Sequence, residues 1–236
     1  AGVPDPARDA RILLAHAASV DAARVTLIAP EEIAPDIAER YEKLIALRAV
    51  RVPVSHLVGQ RAFYGRDFKV SRDVLDPRPE TESLIELALS EPFERVLDLG
   101  TGSGCILVTL LAEQQDARGV GLDLSEAACL QASANAVLHR VEARADIQQS
   151  DWFASVGGTF DLIVSNPPYV DAEDFADMPA EYQHEPEMGL ACGADGLDLV
   201  RRMLAEAADH LLLREGVPDA VGLAFDGAGR GGLLAC

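Results

Sequence analysis

The sequence predicts an α/β protein in which one parallel β-sheet carries helices on both faces and is preceded by a small helical domain. From residue 95 onward, short apolar segments alternate with helical ones, a pattern typical of parallel strands joined by crossover helices. Before residue 52, the apolar residues recur at helical spacing instead. The chain has 236 residues, 49% of them hydrophobic, so it can bury one full core and a small additional domain.

Residues 1–52 are predicted to form the N-terminal helical domain. An apolar cluster occupies residues 12–14 in the first helical stretch. The second stretch carries an apolar stripe at spacings i, i+4, i+7 and i+8, formed by Ile37, Tyr41, Leu44 and Ile45. We expect these helices to pack together as a small bundle.

Residues 53–75 are predicted to be a linker and a β-hairpin. Pro53, Gly59 and Gly65 interrupt the helical period, and the short segment at residues 68–70 has the composition of a strand. This stretch therefore separates the helical domain from the sheet.

Residues 76–236 are predicted to form the large domain. Pro77 and Pro79 exclude a helix before Thr81, which is expected to cap an amphipathic helix. The predicted strands are 95–99, 119–123, 160–164 and 210–214. The helices between them are predicted to end near residues 110 and 137, and a further one to span 196–209.

The charge of the chain argues against a nucleic-acid partner. Only 20 Lys and Arg residues face 39 Asp and Glu residues, for a net charge of -19, which would repel a polyphosphate backbone. No apolar run reaches the ~18–20 residues of a membrane span, and no leader segment is visible. The cysteines and histidines lack metal-binding spacing. We therefore expect a cytoplasmic, monomeric protein that binds neither a membrane nor a metal.

A glycine-rich turn at residues 98–104, Asp-Leu-Gly-Thr-Gly-Ser-Gly, follows the first predicted strand of the large domain. Glycines there permit a tight turn and the close approach of a ligand, although they also serve simple packing of a helix on a strand. Asp123 ends the next strand, where a carboxylate can accept hydrogen bonds from both hydroxyls of a ribose. Alternatively, Asp123 or Ser125 caps the following helix.

The tetrapeptide Asn166-Pro167-Pro168-Tyr169 directly follows a predicted buried strand, at the sheet edge where α/β folds hold reacting groups. The two prolines stiffen the loop and leave carbonyl oxygens beside the Asn166 side chain, so the loop is rich in acceptors. Such a loop can bind and orient an NH₂ group on a planar amide or base, while Tyr169 supplies a flat face. In isolation the tetrapeptide is also compatible with an ordinary turn.

Together these segments resemble the glutamine N5-methyltransferases that modify peptide chain release factors, from about residue 5 to about residue 216. Further segments that carry the resemblance are residues 59–64, 77–82, 150–153, 185–186 and 193–197. The resemblance implies a Rossmann-like class I methyltransferase fold with S-adenosylmethionine as cofactor. It also implies that the substrate is the glutamine of a Gly-Gly-Gln motif, and that the helical domain helps to grip the release factor.

The resemblance also implies roles for individual residues. The methionine end of the cofactor would lie at Gly100, Thr101 and Gly102, its ribose at Asp123, and its adenine between Asp151 and Trp152. Asn166 would contact both cofactor and substrate, and the catalytic loop that holds the glutamine amide would comprise Asn166, Pro167, Pro168 and Tyr169. The loop that carries Arg78 and Glu80 would approach the substrate, or it is a plain proline-rich helix entry.

Two alternative functions remain open at the level of sequence. An adenine N6-methyltransferase acting on nucleic acid would present the same two N–H donors to the loop, although the net charge opposes it. A catalytically impaired cofactor-binding homologue is the other. This second alternative is suggested by the glycine-rich tail at residues 225–236. The family has closing strands in this region, whereas the composition of the tail fits disorder or an altered reading frame better.

Overall fold

The protein is described here from a computed structural model. The structure describes residues 2–28, 32–167, 179–186, 198–212 and 220–223, with the backbone alone at 28, 198 and 220–223. The chain divides into two compact units, Ala1–Gln60 with Pro179–His184, and Arg61–Met178 with Glu185–Cys236.

The first unit is helical, which confirms the helical pattern of its sequence. Its helices are α1 (Pro6–Ala18), α2 (Val25–Ile28), α3 (Pro35–Ala49) and α4 (Val54–Val58). Asp5 caps α1 by accepting a hydrogen bond from the backbone N–H of Arg8 at 3.1 Å. Proline opens both α1 and α3, where its missing N–H would have had no helical partner. The buried apolar residues described in this unit include Leu13, Ala15, Ala17 and Val25.

Residues 179–184 belong to the first unit because a buried cation holds them there. Arg48 is only 8% exposed. Its Nε donates to Asp9 at 2.7 Å and its Nη1 to Glu181 at 3.0 Å. His184 adds a ring contact to the carbonyl of Val50 at 3.0 Å. Breaking a buried ion pair on one side costs ~3–5 kcal/mol, so Asp9 and Glu181 are needed to compensate Arg48.

The second unit begins with the predicted hairpin, formed by β1 (Gln60–Phe63) and β2 (Arg66–Lys69). Its two-residue turn places Tyr64 and Gly65 at φ 47° and 70°, as a tight hairpin requires. The main sheet contains β3 (Arg95–Leu99), β4 (Arg118–Asp123), β5 (Ala145–Gln149), β6 (Leu162–Ser165) and β7 (Ala220–Leu223). Their order is β5-β4-β3-β6-β7, and every pairing is parallel.

Helices cover both faces of this sheet. They are α5 (Glu82–Ala88), α6 (Cys105–Glu113), α7 (Glu126–Leu138) and α8 (Asp198–Ala207). Successive residues of a strand point to opposite faces, and Val96 and Leu97 of β3 therefore lie in different apolar clusters. Val96 packs in the cluster that contains residues of α5 and α6, whereas Leu97 packs in the one that contains Val200 and Met203 of α8. The predicted Rossmann-like α/β class is thus confirmed.

Some predicted elements differ in the structure. Residues 208–210 form a 3₁₀ turn and Leu211 makes one isolated bridge to Phe160, so no strand begins at His210. Residues 213–214 lie outside the described residues. The edge strand β5 was not predicted, because its sequence Ala-Asp-Ile-Gln-Gln is mostly polar and only partly buried. The glycine-rich tail at residues 225–236 also lies outside the described residues.

The predicted cap at Thr81 is wrong. Pro79–Thr81 forms a 3₁₀ turn that runs directly into α5, so the backbone of Thr81 is already helical at φ −68° and ψ −16°. A capping residue needs an extended backbone, and the Thr81 side chain makes no capping hydrogen bond. Its hydroxyl is therefore available to another partner.

Candidate active site

The site forms where the order of the sheet reverses. The chain passes from β3 outward to β4 and β5, then returns to β6 on the other side of β3. Loops that follow β3 and β6 consequently leave the same edge of the sheet in different directions and open a crevice between them. The glycine loop follows β3, and Asn166 directly follows β6. A cavity of about 480 Å³ occupies this crevice.

Most of the sequence-predicted residues line this one cavity. They are Arg78, Gly100, Thr101, Gly102, Asp123, Asp151, Trp152 and Asn166. Glu80 is exposed and Pro167 is buried, and of the described residues these two predicted ones do not line the cavity. Pro168 and Tyr169 lie outside the described residues. The structure therefore brings together segments from residue 73 to residue 199 around a single space.

The glycine loop is shaped by backbone that side chains rarely adopt. Gly100, Gly102 and Gly104 have φ values of 69°, 55° and 77°. A Cβ on Gly104 would also lie 3.0 Å from Cβ of Ala132 in α7. Glycine is needed at this position both for its positive φ and for the close approach of α7.

Asp123 holds this loop with both of its carboxylate oxygens. Oδ2 accepts a hydrogen bond from the backbone N–H of Gly102 at 2.9 Å, and Oδ1 accepts one from Ser125 at 2.9 Å. Ser125, not Asp123, caps α7, because its hydroxyl oxygen accepts from the N–H of Ala128. Each carboxylate oxygen can accept a further hydrogen bond, and Asp123 lines the cavity. This geometry leaves acceptors for a pair of vicinal hydroxyls.

Asp98 supports the same loop from beneath. Its Oδ2 accepts a hydrogen bond from the hydroxyl of Thr101 at 2.7 Å, while its Oδ1 has no partner among the described residues. Complete burial raises the pKa of Asp98 to about 7, against the lowering effect of the Thr101 hydrogen bond. Asp98 does not line the cavity, so it acts on the loop rather than on a ligand.

Asn135 joins the glycine loop to the hairpin. Its Nδ2 donates to the carbonyls of Ser103 at 2.8 Å and of Lys69 at 2.9 Å, and its Oδ1 accepts from the N–H of Lys69 at 2.8 Å. Asn135 is fully buried in α7. Sequence reasoning missed it, although an asparagine between two alanines in a helical stretch can indicate a buried polar contact.

Part of the cavity wall is formed by apolar residues, one of which has an unusual backbone conformation. Trp152 lies there with a positive φ of 52°, a conformation that is unusual for a bulky side chain. Leu124 also lines the cavity although 55% of its surface is exposed, and sequence reasoning missed it. An exposed leucine directly after a strand-end aspartate could have indicated an apolar wall beside the carboxylate. The carboxylate of Asp151 pairs with Arg202 at 3.1 Å.

The proline-rich loop at residues 76–81 is tied to Glu185. The Nη2 of Arg78 lies 2.6 Å from Oε1 of Glu185, whose side chain is 2% exposed. The backbone N–H of Asp76 donates to Oε2 of the same carboxylate at 3.3 Å. Burial raises the pKa of Glu185, and the charge of Arg78 opposes that rise. The family resemblance includes residues 185–186 but implies no role for Glu185.

Asn166 contacts this loop and lines the same cavity. Its Nδ2 donates a long hydrogen bond of 3.5 Å to the hydroxyl oxygen of Thr81. Its buried Oδ1 has no hydrogen-bond partner among the described residues. The preceding residue, Ser165, fixes the end of β6 by donating to the carbonyl of Leu99 at 2.7 Å. The site thus presents an unused acceptor within the same cavity as the glycine loop.

In the described part of the chain, no three His, Cys, Asp or Glu side chains gather as metal ligands. Likewise, no helix among the described residues is long and apolar enough to cross a membrane.

Comparison with known proteins shows the family of this chain. Residues 70–181 match the family model described as a methyltransferase small domain, and residues 1–59 match the PrmC N-terminal domain. A protein of Cereibacter sphaeroides named release factor glutamine methyltransferase is 52% identical over 212 residues, which cover 89% of this chain and 76% of that protein. A Rhodospirillum rubrum protein of the same name is 44% identical over 92% of this chain and 68% of its own length.

Solved structures agree on the fold. The crystal structure of a methyltransferase from Pyrococcus furiosus superposes with a TM-score of 0.50 at 19% identity, over 79% of this chain and 78% of that one. At such low identity the likeness concerns the fold alone. The extent and identity of the sequence matches go further: this chain belongs to the release factor glutamine methyltransferase family.

Proposed function

We propose that this protein transfers a methyl group from S-adenosylmethionine to the side-chain amide nitrogen of the glutamine in the Gly-Gly-Gln motif of release factors. One observation supports this above the rest. The glycine loop, Asp123 and Asn166 line a single cavity of about 480 Å³, so a methyl donor and an amide acceptor can be held side by side. Family membership supplies the identity of the acceptor.

The residues present fit S-adenosylmethionine. Gly100 has open space where a Cβ would lie, so the backbone of the loop can approach the methionine end of the cofactor. Asp123 keeps acceptor capacity for the ribose hydroxyls, and Leu124, Asp151 and Trp152 line the part of the cavity suited to a planar base. When bound, this cofactor supplies an electrophilic methyl group on a positively charged sulfur.

On the acceptor side, Asn166 performs the central task. Its Oδ1 would accept one hydrogen bond from the glutamine NH₂, and the carbonyl groups of the proline-containing loop would accept the other. Two acceptors fix the plane of the amide and let positive charge develop on its nitrogen as the C–N bond forms. Pro167, Pro168 and Tyr169 are part of this proposal as the stiff frame of the loop and its flat face.

The proposed mechanism requires no general base. The amide nitrogen becomes acidic once it carries the methyl group, so its proton can pass to water after the transfer. Positioning and hydrogen-bond acceptors would therefore provide most of the rate enhancement. A translation factor as substrate would place the reaction in the cytoplasm, with a protein as the partner of the enzyme.

The test is transfer of labelled methyl from S-adenosylmethionine to a purified release factor, followed by peptide mass mapping. A release factor whose motif glutamine is replaced by alanine is the matched control, and an unmethylated adenine-containing duplex is assayed in parallel. Label on the motif glutamine alone is the expected result. Label that persists without that glutamine, or that enters only the duplex, would contradict the proposal.

A further inference from the structure

We call the part of the cavity lined by Arg78, Thr81 and Asn166 its acceptor half. The partner of Asn166 there is a threonine. Thr81 is 2% exposed, and its hydroxyl oxygen lies 3.5 Å from Nδ2 of Asn166. Both residues line the cavity. Thr81 makes no capping hydrogen bond in its own helix, so its hydroxyl is left to serve the asparagine.

Both residues are held in place by the structure around them. Thr81 directly precedes α5, whose Leu84 and Ile85 are fully buried in the core of the unit. Asn166 directly follows Ser165, whose hydroxyl anchors the end of β6 to the carbonyl of Leu99. The amide of Asn166 is therefore presented to a fixed hydroxyl, and the 3.5 Å separation can shorten when a substrate settles in the cavity.

We propose that Thr81 is a positioning residue for methyl transfer, which acts by accepting a hydrogen bond from Nδ2 of Asn166 while Oδ1 of the same amide faces the substrate. The Thr81 oxygen accepts from Nδ2, and this leaves Oδ1 as the end that accepts from the substrate amide. This inference rests on the proposed function and adds a residue to its mechanism.

The reason lies in the asymmetry of an amide. The threonine hydroxyl can donate or accept, whereas the substrate NH₂ only donates, so the substrate selects Oδ1 and Thr81 then accepts from Nδ2. The two ends of the asparagine side chain have nearly the same shape, but one donates and the other accepts. If the side chain turned over, its NH₂ would face the NH₂ of the substrate, donor against donor, and the substrate would lose an acceptor. A buried oxygen without a partner, such as Oδ1 here, has its requirement met only when another donor enters.

The test compares three threonine variants of the full chain. Thr81→Val keeps the shape and removes the oxygen, so we expect kcat to fall about tenfold, with the KM for the release factor and the Kd for S-adenosylmethionine changing less than about threefold. Thr81→Ser retains the hydroxyl and should recover most of the lost rate. Thr109→Val is the matched control, because Thr109 is fully buried in α6 with a hydroxyl that makes no hydrogen bond to the described residues.

A double-mutant cycle separates positioning from a general structural role. In an Asn166→Ala background, measured by single-turnover labelling over long times, Thr81→Val should cause no further loss, because the amide it orients is gone. A tenfold loss in that background as well, or an unchanged kcat in the single variant, would overturn the inference. Absence of label in the unmodified protein would instead remove the proposed function, and this inference with it.

Discussion

The acceptor half of the cavity and its cofactor half, which is lined by residues 100–102 and Asp123, are held together in different ways. In the cofactor half, the glycine loop is fixed by hydrogen bonds of its own backbone N–H groups, from Thr101 to the carbonyl of Leu122 and from Gly102 to Asp123, both at 2.9 Å. In the acceptor half, side chains far apart in the sequence meet, since Glu185 lies 107 positions after Arg78. We therefore expect changes in the first half to alter affinity and stability, and changes in the second to alter turnover.

The largest expected effect is that of Asn166→Ala in the acceptor half. Loss of an acceptor aimed at developing charge should lower kcat by about 10²–10³-fold, by analogy with the removal of one donor from an oxyanion hole. The Kd for S-adenosylmethionine, measured by calorimetry, should change less than about threefold. A turnover rate within about threefold of the unmodified protein would remove Asn166 from its proposed role.

Asp123→Ala should produce the opposite pattern. The variant loses charge-assisted hydrogen bonds to the loop and to the cofactor, so the Kd for S-adenosylmethionine should rise about 10–100-fold. Asp146→Ala is the control, since this exposed carboxylate of β5 accepts a hydrogen bond from Gln148 and does not line the cavity. If the two variants bind S-adenosylmethionine with equal affinity, Asp123 does not contribute to cofactor binding in the way proposed.

The packing of the glycine loop can be separated from its backbone strain. Gly104→Ala forces a side chain into a positive φ and against Ala132, whereas Gly65→Ala has a similar φ of 70° with nothing within 4 Å. The free energy of unfolding, from urea titrations, should fall by ~1–2 kcal/mol for Gly65→Ala. For Gly104→Ala it should fall by a further ~1–3 kcal/mol. Equal losses would mean that α7 gives way to the added methyl group.

A pH dependence of stability is expected at Asp98. Its folded-state pKa of about 7 lies above its ordinary value, so the folded state holds this proton more tightly than the unfolded state. Stability from this group is therefore present at about pH 4 and is lost as the pH rises towards 7, by at most ~1.4 kcal/mol per pH unit.

Asp98→Asn keeps the shape of the protonated side chain and cannot ionise, so its unfolding free energy should lack this decline. The comparison needs urea titrations of both proteins at several pH values between 4 and 8. The single tryptophan of the chain, Trp152, reports unfolding near the loop by fluorescence. Parallel curves for the two proteins would show that Asp98 does not bind its proton more tightly on folding.

The same division explains how much could be predicted from the sequence. The glycine turn, Asp123 and Asn166 each lie at the end of an apolar strand, and parallel strands bring such ends to one edge. Their meeting therefore follows from local patterns alone. The edge strand β5 escaped prediction, because a strand with only two apolar residues, both only partly buried, lacks a clear apolar period.

The acceptor half could be predicted only in part, for a physical reason. Glu185 and Arg78 form their ion pair through side chains whose positions depend on the whole fold, and no spacing in the sequence encodes that meeting. The cap predicted at Thr81 is wrong for a related reason. Threonine suits a helix cap, but the 3₁₀ turn that includes Thr81 gives it a helical backbone. Its hydroxyl accepts a hydrogen bond from Asn166 instead.

The six residues at 179–184 have a consequence for how such an enzyme can change during evolution. The helical unit is built from two separate stretches of the chain. Arg48 of the first stretch pairs with Glu181 of the second, which lies 133 residues further along the chain. An exchange of the N-terminal segment alone would keep Arg48 with Asp9 but separate both from Glu181. The two stretches must therefore be inherited as a matched pair, and compensating changes between them should mark the history of the gene.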